Sequence, residues 1–393
     1  MAGPHPKPSK PPFWNDPQIR ALIVQLILLI AVGLGLAYII HNTLHNLAQR
    51  GIATGFDFLF AEAGFGILHT LIEYEESSTY GRTFIVGLLN TLLVSMLGIV
   101  FATVLGFIIG IARLSSNWLV AKLAAVYIEI FRNIPLLLQI FFWYFAVLRT
   151  LPHPRHSWSV GDFLFLNIRG LYLPQPLFQP GFSWVLAALG VSLILILSVH
   201  FWAQWQQDRT GKRFPVFWSA FILLISLPSI TFWLLGSPLS WELPVLKGFN
   251  FSGGIPIIPE LSALVLALTI YTAAFIAEIV RSGIQAVPYG QTEAAHALGL
   301  RPRHTLRLVI IPQAMRVIIP PLTSQYLNLT KNSSLATAIG YPDLVSVFAG
   351  TTLNQTGQAI EVIAMTMAVY LILSLLISLL MNRYNAKMAL VEK

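Results

Sequence analysis

Eight apolar runs, each long enough to cross a lipid bilayer, dominate this chain of 393 residues. A membrane helix needs about 20 consecutive apolar residues. Only 10% of the residues are charged, whereas soluble domains carry about 25%. The runs occupy residues 20–41, 83–112, 122–148, 182–203, 215–236, 258–280, 308–330 and 361–381. Because backbone hydrogen bonds must be satisfied internally in lipid, we predict an all-α polytopic membrane protein with about eight transmembrane helices.

Basic residues indicate the orientation, because cytoplasmic loops are enriched in lysine and arginine. They flank the runs on one predicted side: Lys7, Lys10, Arg20, Arg113, Lys122, Arg209, Lys212, Arg213, Arg281, Arg301, Arg303, Arg307, Arg383, Lys387 and Lys393. Both termini and the 288–304 loop are therefore predicted to be cytoplasmic, although Arg149, Arg155 and Arg169 fall on the outer side. Membrane topology and anionic lipid explain the net charge of +8 better than nucleic acid does.

The distribution of polar residues divides the chain into four parts. Residues 1–82 form a cytoplasmic tail, an uncleaved extra first helix and a periplasmic linker. Residues 83–149 and 258–393 are rich in glycine and intramembrane polar groups, and we predict that they form one core. Residues 150–257 contain two plain apolar runs between aromatic, proline-rich loops. We interpret this part as an insertion.

Several chemistries are excluded by the sequence. It contains no cysteine, no GxxxxGK[ST] phosphate loop and no HExxH zinc motif. The chain has no visible energy source of its own. It is therefore a passive or secondary carrier, or one subunit of a machine that is driven elsewhere.

Residues 288–312 are polar although apolar runs precede and follow them. Thr292 is a candidate helix cap, Gly299 a left-handed helix stop, and Pro302 the first residue of a new helix. One small apolar face comprises Ala294, Ala297 and Leu298. Such a face suits the groove of another protein, and the alternative is an ordinary cytoplasmic loop.

Ionisable residues within spans are costly in lipid and usually face a pathway or a partner. Glu129 and Glu278 are the acidic examples. The alternative is local neutralisation, because Arg132 and Arg281 follow each of them by three residues.

Polar residues and prolines interrupt the later spans. Lys331 to Ser334 place four polar side chains where an apolar run ends, which suggests either a broken helix or an outer loop. Prolines predict kinks at Pro135 and at Pro320–Pro321. Gly106 and Gly110 fit small-xxx-small helix packing.

The segment EAAHALGLRPRHTLRLVIIP resembles the EAA loop of ABC importer membrane subunits. GLLNTLLVSMLGIVFATVLGFIIGIARLS, YIEIFRNIPLLLQIFFWYF, YTAAFIAEIVRSG and LTKNSSLATAIGYPDL are similar to the polar amino acid branch, that of the histidine and glutamine permeases. The length, the extra first span and the insertion resemble the longer permease of the general L-amino acid group. Residues that match the coupling loop, or lie within it, are Glu293, Ala294, Ala295, His296, Leu298, Gly299, Arg301 and Pro312.

The resemblance implies a type I ABC importer in the bacterial inner membrane, with five helices in the permease core. It implies a heterodimer with a shorter permease, two ATPase subunits, and a periplasmic solute-binding protein. ATP and Mg²⁺ would bind to the ATPase, and this chain would bind no cofactor and would not be an enzyme. The EAA helix would dock into a cleft of the ATPase and drive alternating access.

Candidate residues for the substrate pathway are Asn90, Gln139, Thr272, Glu278, Lys331, Asn332 and Ser333. Asn332 stands where many relatives have aspartate, which argues against a strictly cationic substrate and favours neutral to acidic amino acids. The main alternative is an ion-coupled secondary amino acid transporter with a proton or sodium site at Glu278 or Glu129. A scaffold and an intramembrane enzyme fit the sequence less well.

Overall fold

The computed structural model describes residues 17–49, 51 and 54–388. Most of the predicted cytoplasmic tail, with Lys7 and Lys10, and also Lys393 lie outside these residues. The helices of the described part, in chain order, are α1 (Pro17–Gln49), α2 (Tyr80–Arg113), α3 (Trp118–Asn133), α4 (Leu136–Phe141), α5 (Phe182–Thr210), α6 (Val216–Leu234), α7 (Pro259–Gln285), α8 (Tyr289–Ala297), α9 (Pro302–Thr305), α10 (Ile311–Asn332), α11 (Leu353–Thr356) and α12 (Ala359–Met388).

The prediction of a helical, polytopic membrane protein is confirmed. Seven helical segments of the described residues are long and apolar enough to cross a membrane, and an eighth is gained if one bent pair counts as one span. That pair is the predicted span 122–148. Its two parts, Trp118–Asn133 and Leu136–Thr150, meet at an angle of 105°. The kink predicted at Pro135 is therefore confirmed. It is a sharp bend, because Ile134 has an extended backbone, as expected for the residue before a proline.

The end of an α-helix predicted at Lys331–Ser334 is confirmed, because α10 ends at Asn332. The chain does not enter a loop there, since a 3₁₀ segment, Ser333–Ile339, follows directly. The turn comes at Gly340, whose φ of +77° suits glycine. Helix α10 also passes through Pro320 and Pro321 without a break, so a bend there stays a prediction.

Eight short strands occur in the inserted part, where we predicted loops. They are β1 (Trp158–Val160), β2 (Leu164–Asn167), β3 (Gly170–Leu173), β4 (Gln175–Phe178), β5 (Leu239–Glu242), β6 (Val245–Lys247), β7 (Asn250–Ser252) and β8 (Ile255–Ile257). They form an antiparallel sheet in the order β1-β2-β3-β8 and two further antiparallel pairs, β4–β5 and β6–β7. Each strand has only three or four residues and prolines lie close by. The alternation of apolar and polar side chains that indicates a strand is therefore too short to recognise in the sequence.

Chain contacts group the described residues into two compact units. One comprises the described parts of 1–91 with 342–376, and its core includes Phe58, Tyr80 and Phe348. The other comprises 92–341 with the described part of 377–393. The four-part organisation predicted from the sequence stays a prediction.

Helix α7 is the centre of the second unit. Its alanines, including Ala263, Ala267 and Ala277, are fully buried. A methyl group on Gly106 of α2 would lie 2.6 Å from the Ile276 side chain, and one on Gly110 would lie 2.7 Å from the Ala277 carbonyl oxygen. The predicted small-xxx-small packing is confirmed, because only glycine lets α2 approach α7 so closely.

Candidate functional site

Helix α8 lies in the polar stretch 288–312, as the sequence predicted. It begins at Tyr289, one residue after Pro288, and no side chain caps its start. The prediction that Thr292 caps this helix is wrong, because the helix begins three residues earlier and includes Thr292. Pro288 disfavours helical backbone in the residue before it, so α7 and α8 are separate helices.

The end of α8 has the hydrogen bonds of a Schellman motif. The Leu300 N–H donates to the Ala295 carbonyl at 3.1 Å, and the Gly299 N–H donates to the His296 carbonyl at 2.9 Å. Gly299 has a φ of +76°, which glycine adopts without strain. The predicted left-handed stop is confirmed. Arg301 is then extended, and Pro302 starts α9 as predicted.

One face of α8 points away from its own chain. We define the coupling face as Glu293, Ala294, Ala297 and Leu298, all of which are exposed. Leu298 is 82% exposed, whereas Ala295 is only 4% exposed and packs inward. Of the other residues predicted for coupling, His296, Gly299 and Arg301 are exposed. Pro312 is half-buried in the first turn of α10.

Helix α8 is connected directly to α10. The Gln313 side-chain amide of α10 donates to Oε1 of Gln291 in α8 at 3.2 Å. Between α9 and α10 the chain forms a π-helical segment, Leu306–Ile310. Short π segments are wider than an α-helix and are frequent at functional positions.

A polar cavity of about 260 Å³ lies between α7 and α10 in the membrane-spanning region. It is lined by Tyr271, Thr272, Phe275, Gln325, Asn328 and Asn332. The three amides recur at intervals of three and four residues, so they share one face of α10. Amide and hydroxyl groups within a span can donate and accept hydrogen bonds without adding net charge.

The structure brings together only part of the predicted pathway. Thr272 and Asn332 line the cavity. Lys331 is exposed, and Ser333 is buried and donates to the Thr330 carbonyl at 2.7 Å. Gln325 and Asn328 also line the cavity and were not predicted, although their spacing with Asn332 places all three on one helix face. The roles of all these residues in transport stay predictions.

Asn90 and Gln139 are buried and bonded to backbone carbonyls. The Asn90 side-chain amide donates to the carbonyls of His69 and Pro342, each at 2.8 Å. The Gln139 amide donates to carbonyls at the sharp bend that follows α3, those of Phe131 and Ile134. Both contacts satisfy backbone groups that would otherwise be unpaired in an apolar interior.

Charged groups lie beside the cavity. The Arg132 guanidinium is 5.2 Å from the centre of the Phe275 ring, which is one wall of the cavity. Glu278 forms an ion pair with Arg281, three residues later on α7. The predicted local neutralisation is therefore confirmed for Glu278. It is not formed for Glu129, because within the described residues Arg132 contacts Phe275 and no ion pair joins it to Glu129.

Comparison with known proteins adds independent findings. A family described as "Binding-protein-dependent transport system inner membrane component" matches residues 209–389. The putative amino-acid ABC transporter permease protein YhdX of Escherichia coli is 60% identical, with 97% of each chain covered. The general L-amino acid transport system permease protein AapQ of Rhizobium johnstonii is 52% identical over 96% of this chain and 94% of that protein. BztB of Rhodobacter capsulatus, a glutamate/glutamine/aspartate/asparagine transport system permease protein, is 42% identical over 96% of each chain.

Proposed function

Because this chain belongs to the family of binding-protein-dependent transport system inner membrane components, we propose that its activity is inward transport of amino acids, driven by ATP. It is an amino acid ABC transporter permease subunit, like the relatives that it matches along nearly its whole length. Its partners are a second, shorter permease subunit, two ATPase subunits and a periplasmic solute-binding protein. ATP and Mg²⁺ bind to the ATPase subunits. The complex lies in the bacterial inner membrane with both termini of this chain in the cytoplasm.

One observation carries the proposal: along the chain, α8 follows α7 and precedes α10, the two helices that line the polar cavity. Helix α7 ends at Gln285, α8 spans Tyr289–Ala297, and α10 begins at Ile311. A displacement of α8 is therefore passed to α7 through residues 286–288 and to α10 through the Gln291–Gln313 hydrogen bond. This connectivity is what an importer needs if force applied outside the membrane is to change access to a site inside it.

The coupling face forms the contact with an ATPase subunit. Leu298 and two alanines form a small apolar surface that nothing in the described chain covers. A helix with such a face binds in a groove, where burial of its apolar side chains supplies the affinity. Closure of the two ATPase subunits on ATP then moves α8, and the bond between Gln291 and Gln313 transmits that movement to α10.

The cavity supplies a site for the transported molecule. Free amino acids carry an ammonium and a carboxylate group, and amides can bind both, because they donate and accept hydrogen bonds. None of the lining residues is acidic, and Arg132 lies behind one wall. The electrostatics therefore favour neutral and acidic amino acids over basic ones.

Co-isolation from a native membrane tests the coupling part of the proposal. An affinity-tagged chain should purify with an ATPase and a second permease, and Leu298→Glu should lose the ATPase because it places a charge in the groove. The matched control is Tyr289→Glu, at another exposed residue of α8 outside the coupling face. If Leu298→Glu retains the ATPase as well as Tyr289→Glu does, α8 is not the docking helix.

A further inference from the structure

The inserted strands form a folded subdomain at the opposite end of α7 from α8. Strand β8 ends at Ile257 and α7 begins at Pro259, whereas α8 follows the other end of α7. Helix α7 has 27 residues and is therefore about 40 Å long, more than the ~30 Å of a bilayer core. The subdomain and α8 thus lie on opposite sides of the membrane.

Two segments of the inserted part, one before α5 and one after α6, contribute strands to this subdomain. Strand β4, before α5, pairs with β5, after α6, with Gln175 opposite Glu242 and Phe178 opposite Leu239. Helices α5 and α6 therefore form a hairpin whose two ends return to the same side. Strand β3 pairs with β8 in the same way, so the strands from both segments are joined by hydrogen bonds.

The subdomain contains a pocket of about 450 Å³, a size typical of binding sites. Strands β1, β2, β6 and β7 surround it. Its apolar wall includes Phe165 and Phe251, whose ring centres are 4.6 Å apart, together with Val245 and Leu246. The sheet order places β1 three strand spacings, about 14 Å, from β8, the strand that leads into the membrane.

Charges of opposite sign stand at the pocket. Arg155 and Asp162 line it and are exposed, and the Arg155 guanidinium lies 4.7 Å from the Phe249 ring centre. Hydroxyl groups of Ser157 and Ser159 complete the lining on that side.

Exposed apolar side chains also occur outside the pocket. Phe249, beside Arg155, is 75% exposed, and Trp158 and Val160 are 63% and 58% exposed on the face of β1 opposite to Ser159. Aromatic residues and arginine around a concave apolar centre are the composition of protein interfaces. A free amino acid would leave the surface outside the pocket uncovered. An anionic lipid would favour several basic residues rather than one charge of each sign.

We propose that this pocket is the docking site for the solute-binding protein, which inserts an apolar side chain and presents an acidic group to Arg155 and a basic group to Asp162. The inference rests on the proposed function, because the family depends on a binding protein and α8 occupies the other side. It assigns to the inserted strands a role in delivery of substrate, separate from the cavity between α7 and α10.

Charge reversal in the reconstituted complex tests the pairing. The complex in nanodiscs is titrated with the solute-binding protein that supports its uptake, and stimulated ATP hydrolysis is measured. Arg155→Glu and Asp162→Lys should each raise the half-saturating concentration of binding protein about tenfold, leave the maximal rate unchanged and weaken its dependence on salt. The matched control, Arg169→Glu, changes an exposed arginine of the same subdomain outside the pocket. Equal half-saturating concentrations in all three variants and the wild type would overturn the inference.

Covalent labelling identifies the occupant. The chain has no native cysteine, so Ser159→Cys provides a single reactive thiol in the pocket. Binding protein should slow its reaction with a membrane-impermeant maleimide at least fivefold, and an unrelated binding protein or free glutamine should not. Protection by free glutamine alone would overturn the proposal in favour of a small-molecule site. If no binding protein supports uptake, the proposed function fails; if uptake occurs and Ser159→Cys is never protected, only this inference fails.

Discussion

Gln313 donates a hydrogen bond at 3.2 Å to Gln291, and this contact joins a helix that lines the membrane cavity to a helix exposed outside it. The two residues are 22 positions apart in sequence. The intervening chain contains the left-handed turn at Gly299 and the π-helical segment Leu306–Ile310. The direction in which α8 presents its coupling face therefore depends on that turn.

Substitution of Gly299 should uncouple transport. Gly299→Ala places a side chain at a φ of +76°, which costs roughly 1–2 kcal/mol, and Gly299→Val should be worse. We expect uptake and substrate-dependent ATP hydrolysis to fall by about 5–30-fold, the factor that corresponds to this energy. The control is Gly290→Ala, also in open space but within α8 and without positive φ. Equal activity of the two alanine variants would contradict the role of the turn.

A negative charge at Asn332 should change substrate preference. Asn332 lines the cavity, where no acidic residue is present among the lining side chains. Asn332→Asp should lower glutamate uptake relative to lysine uptake on the order of tenfold, equivalent to 1.4 kcal/mol. Asn332→Leu should reduce the uptake of both without changing their ratio. Competition assays in proteoliposomes measure the ratio, and an unchanged ratio in Asn332→Asp would remove Asn332 from the substrate pathway.

The contact between α2 and α7 should be sensitive to a single methyl group. Gly106→Ala brings Cβ to 2.6 Å from the Ile276 side chain and to 3.0 Å from the Ala273 carbonyl oxygen. Overpacking of this kind costs about 1–3 kcal/mol. Thermal unfolding of the purified complex should show a lower Tm for Gly106→Ala, because neither the Ile276 Cβ nor the Ala273 carbonyl oxygen can move without shifting the backbone. Gly190→Ala, with open space around it, should leave Tm unchanged; a loss as large as that of Gly106→Ala would refute the packing argument.

The loop before α2 should lose stability in acid. Burial lowers the pKa of His69 below its ordinary value, and a hydrogen bond with Asn90 opposes this shift. The folded state then binds fewer protons than the unfolded state. The contribution of neutral His69 to the free energy of unfolding is therefore complete above the unfolded pKa of about 6.5. This stabilisation decreases as pH falls from that value towards the lowered folded pKa. Tm measured between pH 7.5 and 5.5 should fall more in the wild type than in His69→Gln, and parallel curves would disprove the linkage.

The helices could be predicted because the length of each apolar run is visible in the sequence. Pro135, Gly299 and Pro302 could be placed at helix ends because their effect depends only on their own backbone geometry. The cap at Thr292 was mispredicted because Pro288 starts α8 earlier. The end of α10 at Asn332 lies within the predicted polar stretch, but nothing in those four residues indicates the 3₁₀ segment that follows or the left-handed turn at Gly340.

Of the residues that line the cavity, Thr272 and Asn332 were among the candidates for the substrate pathway. The cavity itself could not be predicted, because which spans face each other depends on tertiary packing. The pocket at Arg155 and Asp162 could not be predicted, since it is formed by strands far apart in sequence.

The most direct measurement is amino acid uptake into proteoliposomes by this chain, alone and in complex with its second permease, ATPase and solute-binding protein. We expect uptake only by the complete complex, abolished by omission of ATP or by a hydrolysis-deficient ATPase and unaffected by dissipation of ion gradients. Uptake by this chain alone, driven by a proton or sodium gradient and indifferent to ATP, would contradict it.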